Sequence, residues 1–311
     1  MDISNPIIYA APVFIGFIVL EASLSRLFGD KKLYEARDFG ASLFIGAGTL
    51  VLGSLLKVMV ISILFFYVYQ FFNPLVDGVR MNIFGYQSFG YAWYVWLACQ
   101  FLDDFSFYWY HRLSHTIRIL WAMHLPHHSS DHFNYGTGIR IGWFVLIYKP
   151  IFYLWILAIG FPYEMLLICL GIETIYQFQL HTQYVPKLGF LEKFLVTHSQ
   201  HQVHHSRHIP HLDMNHGGIL CIFDKLFGTF YEYDPSTDKV EYGVLHPPDS
   251  FNPFVILTHE FKDIWNDVKN ASNPHEAFMY VFGPPGWSVD GSRETSKNLQ
   301  KRYKNNAYET Q

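Results

Sequence analysis

Charge is scarce in this sequence. Asp, Glu, Lys and Arg supply 15% of its 311 residues, against roughly 25% in ordinary soluble proteins. Half of the residues are hydrophobic and 19% are aromatic, which is the profile of a membrane protein. The net charge is -4 and the few Lys and Arg are dispersed, which excludes the basic patch that a nucleic-acid partner needs. Cysteine is nearly absent too. Cys99, Cys169 and Cys221 form no CxxC and cannot all pair, so neither a disulfide framework nor a thiolate metal site is available. There is no HExxH, no solenoid repeat and no low-complexity tract. Residues 1–5 hold Asp2 and no Lys or Arg, and no small-residue cleavage site follows, so a cleaved signal peptide is not expected.

Histidine is what the chain has in excess. Fourteen of its 17 histidines fall between positions 111 and 216, so whatever they do is done in one stretch. They come as His111 and His115, then His124, His127 and His128, then His201, His204 and His205, with His181 alone between the last two groups. Residues three and four apart share a helix face, so each group aims its imidazoles one way. Nine imidazoles exceed what one ion takes and suit a dinuclear site. Imidazole favours iron, zinc or copper, whereas calcium and magnesium want oxygen. No ExxH lies in the cluster, so the carboxylate-rich di-iron design of helical bundles does not apply. His132, His246, His259 and His275 read as packed or interfacial residues, and His208 and His211 as loop residues.

The apolar pattern predicts an all-α protein with an integral membrane stem of about four to five spans or re-entrant helices. A cytoplasmic, histidine-rich helical cap completes the expected fold. Residues 1–38 read as an N-terminal anchor and cytoplasmic loop, 39–233 as the membrane and di-metal domain, and 234–311 as a cytoplasmic tail with a disordered charged end. The first span is 3–20, followed by Arg26, Lys31, Lys32 and Arg37 on the expected cytoplasmic side. Residues 39–56 and 58–76, separated by Lys57 alone, read as one long helix, and 81–102 as the span that returns. Residues 141–159 and 165–180 flank the turn signal Gly160-Phe161-Pro162. They form a hairpin that brings His181 back to the face already holding positions 111–128.

Three polar residues are expected to support the site. Asp104 lies seven residues before His111 and can orient a ligand imidazole through its second nitrogen. Glu173 sits in an apolar segment, where a carboxylate is costly unless it is paired or functional. Asn134 and, with it, Arg140 follow the second histidine group closely enough to bond it.

The histidine groups, with His181 between them, resemble the fatty acid hydroxylase/sterol desaturase superfamily of membrane di-iron oxygenases. The resemblance extends to residues 104–115 (DFSFYWYHRLSH), 176–182 (YQFQLHT), 215–229 (NHGGILCIFDKLFGT), and to Tyr242-Gly243 with His246-Pro247. These motifs look like the alkylglycerol monooxygenase-like branch, and the match runs from about residue 35 to about residue 290. It implies two iron ions held by His111, His115, His124, His127, His128, His181, His201, His204 and His205. It also implies hydroxylation or desaturation of a lipid C–H bond with O2 and external electrons, in the endoplasmic reticulum or a bacterial inner membrane. The electrons would come from a donor protein or a pterin such as tetrahydrobiopterin. The chain departs from that branch at Thr116, where Glu is usual, at Gln200 and Gln202, and at His216, where Tyr is usual. Those departures bear on reductant and substrate, and leave the metal ligands untouched. A histidine-rich metal transporter is disfavoured because the clusters begin at the ends of apolar segments, not at mid-bilayer. A zinc-dependent lipid hydrolase is disfavoured by the surplus of imidazoles.

Overall fold

A computed structural model describes residues 6–29, 33–56, 60–236, 238 and 240–309. Lys31, Lys32 and Lys57, on which part of the topology reading rests, lie outside the described residues, as do residues 1–5. The described fold is all-α apart from one two-residue-per-strand hairpin. Helices α1 (Pro6–Phe28) and α2 (Ala36–Leu56) are, among the described residues, the two that are long and apolar enough to cross a membrane. Only 17% of either apolar window is buried within the chain. Neither, then, is packed as a buried core helix, and the exposed apolar faces are consistent with a membrane setting.

The stretch expected as a span at 81–102 differs. After α3 (Ser62–Phe72) the chain turns at Asp77 and Gly78, both at positive φ, between β1 (Leu75–Val76) and β2 (Val79–Arg80). Residues 81–92 are then irregular, because the Asn82 side chain accepts the backbone N–H of Phe84 and of Tyr86 and so competes with a helix. Asn82 also donates to the Ile159 carbonyl, tying this loop to the far turn of the hairpin. Helix α4 (Trp93–Thr116) starts later and runs 24 residues without a break, through His111 and His115. Ile117 is extended and separates it from α5 (Arg118–His128).

The helical hairpin around Gly160 is present. Its first arm is broken into α7 (Val145–Tyr148), a 3-10 turn (Lys149–Tyr153) and α8 (Leu154–Ala158), where Pro150 removes a helical donor. Gly160 takes φ 112, and α9 (Tyr163–Gln179) then runs back to His181. Phe65, Tyr69, Cys99, Ile156, Met165 and Leu166 pack where α3, α4, α8 and α9 meet, forming the largest core.

Beyond residue 234 the chain folds back. Helices α12 (Pro253–Lys269) and α13 (Pro274–Phe282) lie against α5, and Ile256 and Leu257 pack on Ala41 and Ile45 of α2. The buried Arg118 anchors this contact by donating to Glu260 at 2.8 Å and Asp267 at 2.5 Å. The charged end expected to be disordered forms α14 (Ser296–Glu309), and Gln300 donates to the Leu212 carbonyl at 2.7 Å. Short helices α6 (Tyr135–Gly138), α10 (His198–His204) and α11 (Ile222–Phe227) complete the cap around the histidines.

Candidate metal centre

The nine histidines converge into two groups. His111, His115, His124, His128 and His204 form one; His127, His181, His201 and His205 form the other. Within each group one ring nitrogen per residue lies within 4.8 Å of all the rest, and every ring is buried. The division follows from helix geometry. Positions i and i+4 lie about 40° apart around the helix, while i+3 lies about 60° to the other side of i and about 100° from i+4. So the imidazoles of one motif do not all aim one way, contrary to what their spacing suggested. His124 and His128 therefore enter the five-histidine group and His127 enters the other. His201 and His205 enter the four-histidine group and His204 crosses to the first. Each HxxHH motif thus serves both groups, and the rings of His128 and His205 stack 4.3 Å apart where the groups meet.

Three of the second nitrogens are held by backbone carbonyls. His111 Nδ1 donates to the His216 carbonyl at 2.9 Å, His204 Nδ1 to Met214 at 2.9 Å and His181 Nδ1 to Gln177 at 2.8 Å. With its proton at Nδ1, each of these rings keeps a lone pair on Nε2. Pairs of Nε2 atoms approach to 3.1 Å (His124 and His128), 3.2 Å (His127 and His181) and 3.0 Å (His181 and His201). Two nitrogens at right angles on one ion with bonds of about 2.1 Å stand about 3 Å apart. Among the described residues, the ligand-facing Nε2 atoms of His115, His204 and His205 have no hydrogen-bond partner despite their burial. Orphaned, buried, converging imidazoles are costly unless something binds them, and a late first-row metal ion in each group fits that donor set.

Burial pushes the imidazoles of His124, His127, His128, His201, His204 and His205 well below their ordinary range, with neighbouring imidazoles adding to it. Burial likewise takes His181 from 6.5 down to about 4. All are therefore neutral at pH 7 and ready to ligate without losing a proton. The sign of the linkage is set by the lowered values: the folded chain binds fewer protons than the unfolded one below pH 6.5. Stability is fully present above that value and is lost as pH falls towards about 4. The thermal midpoint of metal-free protein is expected to drop through this interval, as followed by scanning calorimetry in detergent. A midpoint that stays flat there would mean that the imidazoles are hydrated and not buried.

Residues 213–216 supply two of the three orienting carbonyls, and two carboxylates hold the segment that follows. Asp224 accepts the N–H of His216 at 2.8 Å and of Gly217 at 2.7 Å; Asp104 accepts those of Ile219 at 2.8 Å and Leu220 at 2.9 Å. Asp104 thus acts on the loop and does not bond His111 as its position on the same helix face suggested. Asn134 does not bond the histidines either. Its side chain caps α6 by accepting from Thr137 N and donates to the Leu33 carbonyl. Arg140 is buried and paired with Asp38 of α2. Glu173 is fully buried with no hydrogen-bond partner on either oxygen among the described residues, pressed against Gly218.

His198, His208 and His211 stay out of both groups. His216 was not among the expected ligands, yet its ring lies 5.0 Å from that of His115 and 5.6 Å from that of His204, fully buried. Asp224 was missed as well. Its signal in the sequence was the Gly217-Gly218 pair, whose lack of side chains lets carboxylates reach the backbone: a Cβ on Gly217 would lie 2.7 Å from Asp224 Oδ2.

Comparison with known proteins fits this geometry. Residues 96–229 match the model of the fatty acid hydroxylase family. Alkylglycerol monooxygenase of Homo sapiens is 33% identical over 282 residues, covering 89% of this chain and 59% of that protein. The enzyme of the same name from Danio rerio is 34% identical over 288 residues, covering 90% and 59%, and that from Xenopus tropicalis is 37% identical over 196 residues, covering 63% and 43%. The chain therefore spans only about three-fifths of the length of the first two. No solved structure matches it. With all nine histidines inside the matched region, the chain belongs to the fatty acid hydroxylase/sterol desaturase superfamily and is homologous, at moderate identity, to the alkylglycerol monooxygenases.

Proposed function

We propose that this chain is a multi-pass membrane di-iron oxygenase that hydroxylates a C–H bond of a lipid alkyl, acyl or sterol chain. The observation that carries the reading is the division of nine buried imidazoles into groups of five and four that meet at one wall. His111, His115, His124, His128 and His204 would hold one iron, and His127, His181, His201 and His205 the other. When bound, the iron pair supplies the redox chemistry of dioxygen. The balance is RH + O2 + 2e- + 2H+ giving ROH + H2O, with the electrons from an external donor protein or a pterin.

The protein's own part is placement and exclusion. The carbonyls of Gln177, Met214 and His216 fix three imidazole tautomers. Phe133 stacks on His181 with ring centroids 5.5 Å apart and on Tyr242 at 5.0 Å, closing the four-histidine group from the polar side. Eighteen residues of continuous helix separate Trp93 from His111, a rise of about 27 Å, close to the ~30 Å of a bilayer core. Exposed Tyr91, Trp93 and Tyr94 at the far end suit the opposite interface. On this reading α4, which is less apolar than α1 and α2 and buries Asp103 and Asp104, passes through the membrane packed against α9. It sets the metals just beyond the cytoplasmic face, where a lipid chain reaches them sideways.

Lipid mass spectrometry of cells expressing wild type or His204→Ala under heavy-oxygen gas tests this. A lipid that gains one labelled oxygen with wild type alone, with at least a 100-fold loss in the variant, is expected. A product that loses two hydrogens and gains no label would replace hydroxylation by desaturation. An unchanged lipid profile in the native membrane, with iron bound, would remove the oxygenase reading.

A further inference from the structure

Glu21 lies within the apolar window of α1, yet it is 2% exposed. A carboxylate in such a helix is costly unless it is partnered, and this one has three donors. Tyr34 Oη donates to Oε2 at 2.6 Å, the backbone N–H of Tyr135 donates to Oε2 at 2.8 Å, and Thr182 Oγ1 donates to Oε1 at 2.5 Å. Two of these donors belong to segments that carry metal-site residues. Thr182 directly follows His181. Tyr135 ends the loop that leaves α5 after His127 and His128, and this loop also bears Phe133, whose ring stacks on His181. Packing puts α1 in the right place: Phe14 stacks on Phe178 of α9 at 3.9 Å, and Phe17 on Tyr135 at 5.6 Å.

We propose that Glu21 is a positioning residue for the metal held by His127, His181, His201 and His205, and that α1 is thereby a working part of the metal centre. The inference rests on the reading that the nine histidines hold two metals. His181 reaches the site from the end of α9 and His127 from α5, and their Nε2 atoms stand 3.2 Å apart. Glu21 joins the turn after the first to the loop after the second, so it fixes the spacing of the two rings. The five-histidine group takes its members from α4, α5 and α10 and none from the His181 turn. Loss of the bridge should therefore weaken one metal selectively.

The test counts metal and does not depend on turnover. Detergent-purified protein is loaded anaerobically with ferrous iron alone, competed with a chelator, and read for iron per chain and for magnetic coupling between the irons. Glu21→Ala is expected to hold its second iron roughly 10–100-fold more weakly and to show an uncoupled ion. Glu21→Gln, which can still accept from Tyr135 while Thr182 reverses its hydroxyl, should keep the coupled pair. Thr182→Val, which removes one donor and leaves the carboxylate paired, should weaken the same iron if Glu21→Ala does not fold. Phe14→Leu, which loosens α1 without touching the carboxylate, should keep both irons. Coupled, tightly held pairs in both Glu21→Ala and Thr182→Val would overturn the proposal. So would equal loss of both irons in Glu21→Ala and Glu21→Gln, or the same selective loss in Phe14→Leu. A wild type that binds no iron pair would instead sink the functional reading itself, a distinct result.

Discussion

Alanine in place of His127 and alanine in place of His128 are expected to remove different metals, although the two residues are neighbours in the chain. His128 belongs with His111, His115, His124 and His204; His127 belongs with His181, His201 and His205. Each single variant should retain about one metal per chain and lose activity by roughly 1,000-fold or more, since two-metal chemistry fails when either half is empty. Pairing the variants gives the sharper result. His128→Ala with His204→Ala strikes one group twice and should still leave about one metal. His127→Ala with His128→Ala strikes both groups and should leave almost none, because partners in one site are coupled and partners in separate sites add. Elemental analysis of purified protein decides it. If the within-group pair loses as much metal as the across-group pair, the division into five and four is wrong and the histidines act as one pool.

The readable part of this architecture was the part written at helical spacing. His124 to His128 and His201 to His205 repeat at four residues, and the Gly160-Phe161-Pro162 turn announced that His181 would return to their face. Partner identity was harder, because it depends on where the loop at 213–220 passes. Asp104 looked like a support for His111 on its own helix, yet it bonds N–H groups 115 and 116 residues away. Nothing local in DFSFYWYH encodes that. The same holds for Asn134, which spends its amide on Thr137 and the Leu33 carbonyl. The boundary at 81–92 was misread because Asn82 and Gly85 sit among aromatic residues that keep the hydropathy of a span while the Asn side chain breaks the helix. Hydropathy separates apolar from polar, and it is blind to backbone competition. The N-terminal 38 residues read as an anchor because 3–20 carries no charge and Arg26, Lys31, Lys32 and Arg37 follow it. The burial of Glu21 against Tyr135 and the His181 turn, and of Asp38 against Ser130 and Arg140, is a tertiary fact.

Gly218 shows how tightly that loop is set, and it gives the second large expectation. A Cβ there would lie 1.9 Å from Glu173 Oε1 and 2.6 Å from Asp104 Oδ1, inside any allowed contact. The Gly218 carbonyl accepts from Gln177, whose own carbonyl orients His181, and Ile219 O accepts from Val196 N at 2.8 Å, so the backbone is held on both sides. Glu173 cannot swing into solvent, because it is fully buried between helices. Gly218→Ala must therefore push the loop, and with it the His216 carbonyl that fixes His111. A loss of roughly 3 kcal/mol in stability is expected from overpacking of this kind, together with a roughly 10–100-fold loss in metal affinity from the displaced orienting carbonyl. The source of the loss can be checked in a double variant. Glu173→Ala removes the nearer contact, so Gly218→Ala with Glu173→Ala should regain most of the stability that the single glycine variant loses, the Asp104 contact accounting for the remainder. Thermal unfolding of the four proteins, metal-free and iron-loaded, reads both quantities. A Gly218→Ala protein within about 0.5 kcal/mol of wild type, the ordinary range for a substitution away from such features, would show that the loop has slack. His111 would then owe its orientation to the metal itself and not to the carbonyl behind it.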